Sequence, residues 1–175
     1  HLQATVADKT RNSEYIVMDT MNLWIDLFPK KLREVFSMSD VLLINHEEAE
    51  QVTSFTDIAD AADALLEMGP RVVVVKRGAE GAYLAQGDNR ISVPVFPVDR
   101  VIDPTGAGDS FAGGFMAYLS MHTLLDFAEA VVFGSAMASF CVEGFGVDSL
   151  LSATKESFFG RVDEIRKSML VAQKA

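Results

Sequence analysis

Three short apolar runs, each closed by a polar residue, limit what this chain can fold into more than any other feature. They are Tyr15 to Met18 ahead of Asp19, Val41 to Ile44 ahead of Asn45, and Val72 to Val75 ahead of Lys76. A strand wetted on one face alternates apolar and polar side chains. Runs without alternation need cover on both faces, the condition of a parallel sheet held between helices. A parallel connection must carry the chain back along the sheet, usually through a helix. The segment between the second and third runs has that period, with Ile58, Ala61, Ala62, Leu65 and Leu66 at i, i+3, i+4, i+7 and i+8. Met68-Gly69-Pro70 ends it. This alternation predicts right-handed βαβ units in an α/β fold with a mostly parallel central sheet.

After the third run, the extended segments Gly81 to Ala85 and Ile91 to Phe96 flank the polar residues Gln86 to Arg90, which predicts a hairpin. Helical periodicity then covers about 106–120, 124–142 and 153–171, and Leu2 to Arg11 reads as a piece of helix leading into the first strand. At 175 residues, 49% hydrophobic and 23% charged, the chain suits a single domain with a sizeable core. The net charge of -10 argues against general affinity for nucleic acid or anionic membranes. No apolar run reaches spanning length, since Glu129 interrupts the segment from Phe127 to Val142. The start carries no signal-peptide pattern. The single cysteine, Cys141, cannot close an internal disulfide and reads as a small buried hydrophobe. A cytoplasmic protein is expected.

The chemistry concentrates in Asp103-Pro104-Thr105-Gly106-Ala107-Gly108-Asp109-Ser110-Phe111-Ala112-Gly113-Gly114-Phe115, where an extended segment meets a helix. The backbone of Gly106, Ala107 and Gly108 can approach an anion closely because almost no side chain intervenes. The helix start points its free N–H groups and its positive dipole end at such an anion. Asp109 follows, where a general base could take a proton from an attacking hydroxyl. Two other phosphate-binding patterns fail on spelling. A Walker P-loop needs Gly-Lys, a dipeptide this chain lacks. A dinucleotide fingerprint starts at Gly106-x-Gly108, but Phe111 takes the place of the third glycine.

The thirteen-residue run fills every position of D-[PT]-T-G-A-G-D-[ST]-F-x-G-G-F and so resembles the C-terminal signature of the PfkB, or ribokinase-like, carbohydrate kinases. The resemblance implies a Rossmann-type three-layer αβα sandwich. It also implies a protein of roughly double this length, of which residues 1–175 would be the C-terminal, nucleotide-binding part of one kinase domain. The N-terminal half and its lid, through which dimers of the family often pair, would lie outside this chain. Activity would be transfer of the ATP γ-phosphoryl group to a hydroxyl of a sugar, or alternatively of a nucleoside; a third alternative is a nucleotide-binding protein without turnover. By the same resemblance, Asp109 is the base and the amides of Gly106, Ala107, Gly108 and Asp109 form an anion hole.

Further segments fit that implication. Asn45-His46-Glu47-Glu48 resembles the family's N-x-x-E motif, which organises Mg²⁺ with the nucleotide phosphates, often through water; Asn45 and Glu48 are the matching pair. The same residues also read as a helix N-cap with first-turn acids. Lys76 to Gly81 resembles K-x-G-x-x-G, implying that Lys76 reaches phosphates while Gly78 and Gly81 border the nucleotide; a tight turn between strands would need the glycines equally. Asp103 and Thr105 match positions that bind a monovalent cation such as K⁺, with carbonyls near Cys141 to Ser149, although Asp103 ahead of Pro104 also suits an Asx-turn. Asp19 to Trp24 resembles, loosely and without its arginine, a segment whose aspartate contacts phosphates through metal or water. Trp24 itself reads as core or interface. His46 and His122 have no metal-ligand spacing.

Overall fold

A computed structural model describes residues 2–10 and 12–172. Its five strands form one sheet in the order β1 (Val17–Asp19), β2 (Val41–Asn45), β3 (Val72–Lys76), β4 (Ala82–Gln86) and β5 (Asn89–Val93). The first three run parallel, with Val17 beside Val41 and Val41 beside Val72. By contact the chain separates into two compact units. One holds the chain up to Arg77 together with Tyr83–Ile91; the other holds Gly78–Ala82 and the chain from Ser92 onward.

In the first unit, Val41 to Ile44 and Val72 to Val75 are buried without exception, which is why their sequences do not alternate. The helix α1 (Leu2–Lys9) realises the predicted N-terminal helix; Arg11, at the end of that expectation, lies outside the described residues. Between β1 and β2 run α2 (Asn22–Leu27) and α3 (Pro29–Phe36); between β2 and β3 run α4 (His46–Thr53) and α5 (Ile58–Leu66). Proline opens α3, where its missing N–H costs nothing. Leu32, Val35 and Phe36 then turn one face inward at i, i+3 and i+4. They join Leu42, Ile44, Leu65, Val73 and Val75 in a single apolar core.

The predicted helix over Ile58 to Leu66 starts where a side chain can satisfy its first amides. Asp57 Oδ1 accepts the N–H groups of Ala59 at 2.9 Å and Asp60 at 3.1 Å. Asp57→Ala is expected to cost about 1 kcal/mol, read as a lower denaturation midpoint with unchanged slope. An unchanged midpoint would show that water replaces the cap.

The hairpin is tighter than its sequence suggests. β4 continues through Gln86 and β5 begins at Asn89, leaving Gly87-Asp88 as the turn. β5 stops at Val93 rather than Phe96, because Pro94 has no N–H to extend the ladder.

The second unit contains α6 (Ala107–Met121), α7 (Phe127–Cys141), α8 (Asp148–Ser152) and α9 (Lys155–Ala172). Small residues let α6 and α7 approach closely. A Cβ on Gly114 would lie 2.6 Å from the Phe133 carbonyl oxygen, and one on Gly134 would lie 2.8 Å from that of Phe111. Phe111, Phe115 and Tyr118 are buried on one face of α6, and Leu119 beside them is only half-buried. Val162 and Ile165 anchor α9. Among the described residues, no helix is long and apolar enough to cross a membrane.

Candidate active site

The signature forms a loop and a helix start within the second unit. The N–H groups of Ile102 and Asp103 both donate to the Val142 carbonyl, at 2.7 and 3.3 Å. The Cys141 thiol donates to the Thr105 carbonyl at 3.4 Å, so Cys141 is buried as expected but also bonded to the loop. Asp103 Oδ1 accepts the Thr105 N–H at 2.9 Å, an Asx-turn. That amide, and after it the Thr105 hydroxyl, holds the Asp103 carboxyl below its usual range.

Gly106 caps α6 with φ +81°, a conformation other residues adopt only under strain. A Cβ there would meet only Cys141 Sγ, at 3.6 Å, so backbone conformation rather than crowding requires the glycine. The turn directs the Ala107 N–H to the Pro104 carbonyl at 3.1 Å. The helical ladder begins with the Ser110 N–H donating to the Gly106 carbonyl at 2.8 Å. Among the described residues, the first-turn amides of Gly108 and Asp109 therefore have no backbone acceptor. Asp109 sits on that turn with its carboxylate exposed, at the positive end of the helix dipole.

The first unit gathers a second set of predicted residues. Asn45 pairs with Lys76 in the parallel register, and Asp19 ends the adjacent strand. Lys76 Nζ contacts Asp19 Oδ2 at 2.6 Å, with the lysine side chain 17% exposed. Sequence offered no signal for this pair beyond the position of both residues at strand ends. Asn45 and Glu48 make a reciprocal capping box: Asn45 Oδ1 accepts the Glu48 N–H at 2.8 Å, and Glu48 Oε2 accepts the Asn45 N–H at 3.3 Å. The N-cap reading of this segment is thus realised, while one carboxylate oxygen of Glu48 remains outside the box.

Glu48 is 4% exposed. Burial raises its carboxyl above the ordinary 4.5, outweighing the Asn45 amide and the Lys76 ammonium, which lower it. A carboxyl raised on folding binds its proton more tightly in the folded state. Its contribution is therefore greatest in acid and declines as pH rises from the ordinary value through the raised one. Glu48→Gln keeps an acceptor oxygen and cannot ionise. It is expected to unfold at a higher temperature than the unmodified protein at pH 7, with the advantage fading toward pH 4. A variant less stable at pH 7 would show that the charge is a net asset.

Gly78 opens a 3₁₀ turn at φ +56°, and Gly81 follows it at φ +90°. Trp24 lies on α2, 37% exposed, with its ring centroid 6.2 Å from that of Phe28. Among the described residues, no cluster of three or more His, Cys, Asp or Glu side chains could hold a metal ion by itself.

Residues 3–154 match the pfkB family carbohydrate kinases, and the chain belongs to that family. It is 40% identical over 88 residues to a cytidine kinase of Thermococcus kodakarensis, covering 49% of this chain and 31% of that protein. It is 38% identical over 128 residues to a nucleoside kinase of Methanothermobacter thermautotrophicus, covering 73% and 39% respectively. The solved structure of Arabidopsis thaliana ribokinase with ribose and ATP superposes with a TM-score of 0.77 at 25% identity, covering 92% of this chain and 52% of that one. The fold is therefore ribokinase-like α/β, with a mixed five-stranded sheet. The chain spans less than half the length of these two curated relatives.

Proposed function

We propose that the protein containing this chain transfers the γ-phosphoryl group of ATP to a hydroxyl of a sugar. The observation that carries this reading is the start of α6. There, two amides without a backbone acceptor among the described residues adjoin an exposed carboxylate. Asp109 would accept the proton of the acceptor hydroxyl as it attacks. The Gly108 and Asp109 amides, with the backbone of Gly106 and Ala107 shaping the turn, would stabilise charge on the transferring phosphoryl group. The Ala107 amide contributes least, since Pro104 already holds it.

Magnesium keeps several of its waters and needs few protein ligands, so the residues present fit a water-mediated site at Glu48 and Asn45. When bound, the ion would offset phosphate charge. Lys76 would contact phosphates while sharing Asp19, and Gly78 and Gly81 would border the nucleotide. Asp103 and Thr105 would hold a monovalent cation, with the Asp103 carboxylate oriented by its Asx-turn to the Thr105 amide.

A nucleoside acceptor is the second reading. It is favoured by the cytidine kinase and nucleoside kinase among the relatives. ADP release by the full-length protein, with ATP, Mg²⁺ and separate pools of sugars and nucleosides, decides between them. Release that depends on the sugar pool supports the first reading, and dependence on nucleosides alone replaces it with the second. ATP binding without release in either pool would leave a nucleotide-binding protein with no turnover.

A further inference from the structure

One arginine of α9 grips the same helix end that holds the phosphoryl-binding loop. Arg161 Nη1 donates to Ser139 Oγ at 2.8 Å, and Nη2 pairs with the Glu143 carboxylate. Its guanidinium lies 3.6 Å from the Phe140 ring centroid and 4.5 Å from that of Phe96. The side chain is 14% exposed, so these contacts are shielded from water and salt. A lysine could not reproduce the planar fork and the stacking together.

Residues 139–143 divide their contacts between two neighbours. Ser139, Phe140 and Glu143 face Arg161. Cys141 and Val142, between them in sequence, face the loop: the Val142 carbonyl accepts the amides of Ile102 and Asp103, and the Cys141 thiol donates to the Thr105 carbonyl. The last turn of α7 and the two residues after it therefore form a wedge, fixed on one side by Arg161 and fixing on the other the residues that lead into Gly106.

We propose that Arg161 is a positioning residue for the phosphoryl-binding loop, acting through Glu143 and the end of α7 on the carbonyl that anchors Ile102 and Asp103. This rests on reading the Gly106–Asp109 turn as the phosphoryl site. Arg161 touches neither ATP nor acceptor in this scheme. Its loss leaves α6 and α7 packed but frees the loop, and a small displacement of a catalytic loop is costly because the transition state demands exact alignment.

The test uses Arg161→Met in the full-length protein, with hydrogen exchange and steady-state kinetics on the same samples. The expected result is faster exchange at the Ile102 and Asp103 amides by about tenfold, with Phe115 and Val132 unchanged, and kcat lower by about tenfold at unchanged acceptor KM. Arg161→Lys should recover part of kcat. Glu143→Gln, which keeps the Phe140 stack and the Ser139 bond, should shift both readouts in the same direction and decides the matter if Arg161→Met does not fold. Unchanged exchange at Ile102 and Asp103, or exchange raised equally throughout the unit, overturns the proposal. Turnover by the unmodified protein with an equal kcat in the variants overturns this inference alone. Absence of turnover in the unmodified protein overturns the kinase reading instead.

Discussion

Asp109→Asn in the full-length protein is expected to lower kcat by about 10²–10⁴-fold, the usual worth of a general base, while ATP still binds. The exchange is nearly isosteric and leaves the first-turn amides in place. It removes only the group able to take a proton, and asparagine cannot substitute in that role. The charge lost from the helix start costs about 0.3–1 kcal/mol of stability, too little to unfold the protein. Affinity for ATP should hold or improve slightly, since one negative charge near the phosphates is gone. Rapid-quench measurement of the chemical step together with nucleotide titration separates the two effects. A kcat near that of the unmodified protein would remove Asp109 from the mechanism, whatever the binding data show.

Gly81→Ala carries the second large effect, and on stability rather than turnover. The residue holds φ +90°, where a Cβ is strained in any surroundings. The added Cβ would also fall 2.1 Å from the Val93 carbonyl oxygen and 3.1 Å from Pro94 Cα. Both are backbone atoms next to a proline, so rotating a side chain brings no relief. A loss of about 3 kcal/mol is expected, read from equilibrium denaturation, with a corresponding fall in soluble yield. Gly78→Ala makes the contrast: nothing lies within 4 Å of its Cβ, leaving only the cost of φ +56°. Equal losses from the two variants would show that Val93 moves aside. The glycine spacing of this segment therefore has a structural cause, whether or not a nucleotide lies beside it.

The parts of the fold legible in the sequence are those whose burial is unconditional. Val41 to Ile44 and Val72 to Val75 are covered on both faces, and the absence of alternation says so directly. The segment from Asn22 to Phe36 was harder to read because it holds two short helices broken at Phe28 and Pro29, with Leu23, Leu27 and Phe28 exposed. Leu32, Val35 and Phe36 share a face on α3, but of the apolar residues of α2 only Ile25 is buried. At the candidate site, spacing names candidate residues but not the partners of their side chains. Asn45 and Glu48 can be named from spacing, but whether they cap a helix or face a ligand depends on backbone angles that spacing does not carry. The claim of Pro104 on the Ala107 amide follows from the left-handed turn at Gly106, and the Asp19–Lys76 pair follows from strand register. Arg161 had no signal at all, because its partners lie 18 and 22 positions away in sequence.

The two compact units do not correspond to two stretches of sequence. The chain leaves the first after Arg77, returns at Tyr83 and departs again after Ile91, three crossings in all. A single recombination point anywhere in this chain would therefore deliver neither unit free of residues that belong to the other. Exchanging one of them between relatives requires three matched junctions, two of them bracketing most of a β-hairpin. Lineages that diversify by swapping continuous segments would pass these units on together.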